Sequence, residues 1–241
     1  MKYEIEILLN TLITDLLKIH NVVIADSHPI VRLGFENLFS KNNKYCVVGE
    51  VKSLLELTGV LREKQANILI LELSIPGGSG LEAVKEVKSN FPDIHILTYS
   101  IHPEIQFGLR AFKSGASGYL SKESAPEKIL EALSAILTGK RYFGKVTEDS
   151  IFLDLNRSKS SSITSLCHNS LSDRELHVFL KIGEGQTLTQ ISKDLSLSIK
   201  TVSTYRIRAL KKMMHKNNSQ VVLYCSKNGL LPSQCVEILS E

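Results

Sequence analysis

Four side chains stand where four apolar runs of the sequence stop: Asp26, Glu72, Ser100 and Lys122. Two carboxylates, a hydroxyl and an ammonium brought to one rim can exchange charge-assisted hydrogen bonds, the strongest polar contacts a pocket can build. Any one of them alone means little. Together at four run ends, with Ser27 beside Asp26, they form a specific constellation. Nothing else in the chain competes with it. No Ser-His-Asp or metal-hydrolase arrangement occurs, and the glycine-rich Pro76–Gly80 lacks the Gly-Lys-Ser/Thr ending of a phosphate loop.

Such a rim has to be assembled by the elements before it. Short runs rich in Val, Ile and Leu lie at 21–26, 45–51, 66–73, 93–100 and 116–121. They suit strands buried on both faces. Helical patterns at about 29–41, 53–65, 80–90, 103–114 and 125–138 separate them. Five βα units in strict alternation predict a doubly wound five-stranded parallel α/β sheet, whose ligands bind outside the carboxyl ends of the strands.

The 241 residues suffice for two domains. The N-terminal extension 1–20 repeats Ile5, Leu9, Leu12, Leu16 and Ile19 at helical spacing, an amphipathic helix that could fold back or pair. Residues 144–170 read as a linker, serine- and asparagine-rich in their second half. Residues 1–143 hold 16 basic and 16 acidic side chains, and 144–170 three of each. Residues 171–241 hold ten basic and six acidic, so the formal charge of +4 sits there and points to a polyanion. The cysteines Cys46, Cys167, Cys225 and Cys235 are scattered without metal spacing, and no apolar stretch spans a bilayer, so a reducing cytoplasm is expected.

The segment 171–241 reads as a small all-α four-helix module. Ser172 with Glu175, and Thr187 with Gln190, have capping-box spacing, with Leu171 and Leu176 placed as a staple. Ser198 can cap a third helix to about Met214, and Ser196-Leu197-Ser198 makes the tight connection of a helix-turn-helix. A fourth helix is expected over about 218–228, closed by Gly229.

The strings VVIADSHPIVRLGF, ILILELSIPGGSGLEAV, GLRAFKSGASGYLSK and LSDRELHVFLKIGEGQTLTQISKDLSLSIKTVSTYRIRALKKM resemble bacterial two-component response regulators of the NarL/FixJ subfamily. The resemblance spans about residues 21–233. It implies a flavodoxin-like receiver domain over 21–143 and a LuxR-type DNA-binding domain over 171–241, acting in transcription regulation. In that family an Asp at the end of strand three accepts a phosphoryl group from a sensor histidine kinase. An acid pair after strand one helps it hold Mg2+, a Ser/Thr and a Lys contact the phosphoryl oxygens, and an aromatic repacks on activation. The resemblance places Ser100, Lys122 and Tyr119 in the last three roles.

Two positions depart from the pattern. Glu72 stands at the phosphoacceptor position, about 1.5 Å longer by one carbon–carbon bond. Ser27 replaces the second acid, leaving Asp26 and Glu72 as a weakened Mg2+ site. In-line attack tolerates little misplacement. The expectation is a receiver not phosphorylated in the ordinary way, with the Glu72 carboxylate reaching toward phosphoryl space and toward Lys122. On the third helix, Lys200, Thr201, Ser203, Thr204, Ile207, Arg208 and Lys211 face outward, with Arg206 at the boundary and Val202, Tyr205, Ala209, Leu210 and Met213 inward. Arg208, Lys211 and Lys212 suit phosphate contact. Ser203, Thr204 and Ile207 match family positions near base edges, and Asn217 one near the phosphates.

The leading reading is therefore a non-enzymatic regulator that binds double-stranded promoter DNA as a homodimer. Alternatives are a phosphorylation-competent response regulator, a pseudo-receiver that titrates a partner protein, and a phosphotransferase or phosphatase using Asp26 and Glu72. The missing second acid and the absence of an independent acid or base weigh against the last.

Overall fold

A computed structural model describes residues 19–156 and 167–231. The amphipathic pattern of residues 1–18 and the serine-rich 157–166 lie outside the described residues.

Strands β1 (His20–Ala25), β2 (Tyr45–Val51), β3 (Ile68–Leu71), β4 (His95–Ser100) and β5 (Gly118–Ser121) form one parallel sheet in the order β2-β1-β3-β4-β5. Alternate β1 residues serve opposite faces. Val22 and Ile24 pack with α1 (Pro29–Ser40) and α5 (Glu127–Leu137) through Phe35, Phe39, Ile129 and Leu133. Val23 and Ala25 pack with α2 (Leu54–Lys64), α3 (Gly80–Asn90) and α4 (Glu104–Ser114). Both faces are covered, so the strands read as unbroken apolar runs.

The chain reverses its winding between β1 and β3, which opens a crevice at their carboxyl ends. The backbone N–H of Glu72 donates to the carbonyl of Ala25 (3.0 Å), drawing the end of β3 beside Asp26. At the start of α3, a Cβ on Gly80 would come within 2.5 Å of Leu73 Cα, so only glycine lets the helix leave the rim this closely.

The linker differs from the sequence expectation. Lys145–Asn156 form a helix, α6, laid against α4. Glu104 of α4 accepts from the Gly144 N–H, and Thr147 is buried over Gly108. A carboxylate at a helix N-terminus satisfies orphan donors and meets the positive end of the dipole. The sequence signal failed because this cap is supplied from forty residues away. Burial raises the Glu104 pKa, and the bonds from Gly144 and Thr147 partly offset it.

After a 3-10 turn (Cys167–Ser170) come α7 (Asp173–Gly183), α8 (Leu188–Asp194), α9 (Ile199–Lys212) and α10 (Asn218–Lys227). Both expected capping boxes are formed, Ser172 with Glu175 and Thr187 with Gln190. Ser198 caps α9 by accepting from Thr201 N–H (3.0 Å). Between α8 and α9 the backbone turns at Ser196 with φ of 54°, a left-handed conformation that costs a side-chain-bearing residue about 1–2 kcal/mol.

Candidate functional site

Asp26, Glu72, Ser100 and Lys122 do meet at the carboxyl edge of the sheet. Asp26 and Glu72 are each 2% exposed, and charges so deep need partners. Lys122 supplies one to both: its Nζ lies 2.5 Å from Asp26 Oδ2 and 2.9 Å from Glu72 Oε2. Burial alone would lower the lysine's pKa. The two carboxylates together outweigh it, and the ammonium ends above its ordinary value.

Glu72 is saturated with donors. Ser100 Oγ donates to Oε1 at 2.6 Å and the Ser74 N–H at 3.0 Å, while the Ile101 N–H reaches Oε2 at 3.1 Å. With Lys122 this makes four donors around one carboxylate, drawn from β4, β5 and the turn after β3. Asp26 Oδ1 accepts from the His28 N–H and lies 2.8 Å from His28 Nδ1, with His28 itself at the N-cap position of α1. Ser27 is half-buried beside them. Tyr119 is turned inward, 1% exposed, and its hydroxyl donates to the carbonyl of His102 (2.9 Å). Burial pushes its phenol pKa well up.

The residues present do not fit a divalent cation. A hard cation wants several free oxygens, but here one oxygen of each acid is paired with Lys122 and the other is held by further protein groups. Among the described residues no group of three or more His, Cys, Asp and Glu could hold a metal ion. Lys122 thus lies between the two acids at which the weak Mg2+ site is expected.

Two pocket residues escaped sequence reasoning. Arg32 is buried on α1, donating from Nη1 to the Asp26 carbonyl (2.8 Å) and from Nε to Glu50 (2.7 Å). His102 is buried with its Nε2 2.6 Å from Ser74 Oγ. The spacing of Arg32, six after Asp26, was the only signal for the first, and it does not separate a clamp from a surface arginine.

On α9, Lys200, Thr204, Ile207, Arg208 and Lys211 are exposed, and Thr201 and Ser203 are half-exposed on the same outer side. Val202, Ala209, Leu210 and Met213 are buried, and Tyr205 partly so. Three candidates are engaged within the module. Arg206 Nε donates to Asn218 Oδ1 (2.6 Å), which ties α9 to α10. Asn217 is the N-cap of α10, its Oδ1 accepting from the Gln220 N–H (3.0 Å). Lys212 pairs with Glu175 Oε2 (2.6 Å) of the first capping box, because the end of α9 packs against the start of α7.

A parallel sheet with an acid-lysine rim, followed by a capped helix-turn-helix, defines a two-module signalling protein. Residues 22–134 match the response regulator receiver domain, and residues 169–225 match the bacterial regulatory proteins of the luxR family. The chain belongs to the response regulators that join these two modules. Among curated relatives, response regulator UvrY of Escherichia coli is 29% identical over 211 residues, covering 87% of this chain and 95% of its own. Response regulator GacA of Pseudomonas protegens is 28% identical over 211 residues, covering 87% and 97%. Solved structures of RcsB from Salmonella enterica serovar Typhimurium are 28% identical and cover 87% of this chain. One has a TM-score of 0.67 over 98% of its own chain. Another, bound to promoter rprA in the presence of phosphomimetic BeF3−, has 0.64 over 99%. A further one, two RcsB dimers bound to two parallel DNAs, has 0.53 over 98%.

Proposed function

We propose that this protein is a cytoplasmic transcription regulator that binds double-stranded promoter DNA as a homodimer, and that its receiver works without aspartyl phosphorylation. The observation that carries the second half is the environment of Glu72. Ser100 and Lys122, the groups assigned by resemblance to phosphoryl oxygens, both bond the Glu72 carboxylate itself. A side chain one methylene longer than Asp puts its own carboxylate among donors that otherwise wait for a transferred phosphoryl group. The stand-in is incomplete, since a phosphoryl carries about −1.5 to −2 charge and three acceptor oxygens. A receiver built this way needs no kinase to place a carboxylate against Ser100 and Lys122.

The first half rests on α9. Its outer side presents Lys200, Arg208 and Lys211 for phosphate contact, and Ser203, Thr204 and Ile207 toward base edges. These last are short or apolar, so readout relies on thymine methyls, water and DNA shape rather than on bidentate arginine–guanine pairs. Lys212, Arg206 and Asn217 hold the module together and assist at its edge. RcsB dimers on DNA support the homodimer.

The test is a titration of a promoter fragment with unphosphorylated protein across a salt series, beside Glu72→Gln. Tight salt-dependent binding by the native chain, weakened along with dimerisation in Glu72→Gln, is the expected result. Equal affinity and equal oligomeric state in both would refute the stand-in role. Absence of salt-dependent binding would instead favour a pseudo-receiver that titrates a partner.

A further inference from the structure

The helical module is seated on the receiver, and the seam between them encloses histidines. At its rim Asp173 of α7 accepts from Lys85 Nζ (2.6 Å) and Arg110 Nη1 (3.1 Å), and Arg174 pairs with Glu82 (2.5 Å). Arg110 also donates to the carbonyls of Leu171 and His168, both at 3.0 Å. Inside that rim, His102 from the receiver and His177 from α7 are 4% and 9% exposed. Together they line one cavity of about 20 Å3, shared with Leu73, Phe107, Leu176 and Leu180. That is room for about one water.

An imidazolium needs two acceptors, and the protein offers His102 only one, Ser74 Oγ. His102 stacks on Phe107, uses Nε2 toward Ser74, and has no protein partner at Nδ1. Asp173 faces the cavity, but its oxygens are taken by Lys85 and Arg110. The groups that act on His177 are Lys181, His102 and Arg174, in that order, and each disfavours its ionisation. His102 faces Glu72 and Lys122 on the receiver side, and Glu184 and Lys181 on the helical module. Burial is the leading cause for both, pushing His177 down to about 3 and lowering His102.

We infer that the seam is an acid-released latch: His177, backed by His102, can take a proton only when α7 leaves the receiver, so mild acid frees the DNA-binding module. The sign follows from linkage. A ring whose pKa is lower in the closed form favours closure above its open-form value, about 6.5, and opposes it below. If His177 regains that value on opening, the closed-to-open ratio falls about 30-fold from pH 7.5 to pH 5. Carboxylates as a class titrate lower, at about 4; Glu104, whose pKa burial raises, is unchanged in the histidine variants, so they separate the two contributions. The third histidine at the seam, His168, is held by Tyr224 on its own module and adds to the same direction. His102 also joins the latch to the pocket, since its N–H donates to Ser100 Oγ (3.3 Å) and its carbonyl accepts from Tyr119.

Small-angle X-ray scattering of the full-length chain at pH 7.5 and pH 5.0 tests this, beside His177→Phe and His102→Gln, with circular dichroism reporting their fold. Phe keeps an apolar ring at 177, and Gln keeps a hydrogen bond to Ser74, while neither titrates. The expected result is expansion of the native chain at pH 5.0 that is strongly reduced in His177→Phe and reduced less in His102→Gln. A native chain equally compact at both values overturns the latch. So does expansion of both folded variants to the native extent. Should His177→Phe misfold, the His102→Gln comparison decides alone.

Discussion

Replacing Lys122 by Met would remove the ammonium that neutralises two buried carboxylates while nearly keeping the side chain's length. The Lys122 side chain is 12% exposed and those of Asp26 and Glu72 are 3% and 1%, so solvent replaces little of what is removed. Removing one partner of a buried ion pair costs about 3–5 kcal/mol. Glu72 keeps Ser100, Ser74 and Ile101, and Asp26 keeps His28, which places the expected cost at the low end, about 3 kcal/mol. Urea denaturation at pH 7.5, with and without Mg2+, measures it. The penalty should shrink with Mg2+, which can enter the vacated gap. The native protein should respond little to Mg2+. A cost below about 1 kcal/mol, or equal stabilisation of both proteins by Mg2+, would refute the picture of an ammonium occupying the cation's place.

Other expectations follow from single residues. Ser196→Gly removes a side chain from a left-handed turn and should stabilise the helical module by about 1 kcal/mol, read from its thermal midpoint. Ser172→Ala deletes a capping-box acceptor and should cost about 1 kcal/mol by the same measurement. Lys211→Ala should weaken DNA binding at every sequence and flatten the salt slope by about 0.9 for each phosphate left unneutralised, about twice that for two heads. An unchanged slope would contradict the phosphate assignment. Because the Lys122 pKa is raised on folding, its contribution is complete below about pH 10.5 and is lost as pH rises through the folded value. Pocket stability should therefore fall in strong alkali for the native chain and not for Lys122→Met.

Much of the fold and the pocket was legible in the sequence because local rules carried it. The strand ends were visible as places where apolar runs stop, and the order of a doubly wound sheet then forces those ends together. The boxes at Ser172 and Thr187 are four-residue patterns, and Ser196 sits where a tight turn demands positive φ. What stayed hidden depends on partners far apart in sequence. Glu104 caps α6 across forty residues, and Arg32 and His102 have meaning only beside Asp26 and Ser74. Lys212 suits phosphate contact by its charge, and its pairing with Glu175 depends on another helix, which local sequence does not reveal. The seam had no signal, since Asp173, Lys85 and Arg110 follow no common period.

The central claim is a receiver whose pocket is already occupied by its own Glu72 and Lys122. Intact mass spectrometry after incubation with Mg2+ and a small-molecule phosphodonor tests it most directly, with the native chain beside Glu72→Asp/Ser27→Asp. The expected result is no phosphoryl adduct on the native protein and one on the double variant, which regains the acids that phosphoryl transfer needs. A phosphoryl adduct on the native chain would contradict it, and a kinase-driven cycle would then replace the self-occupied pocket.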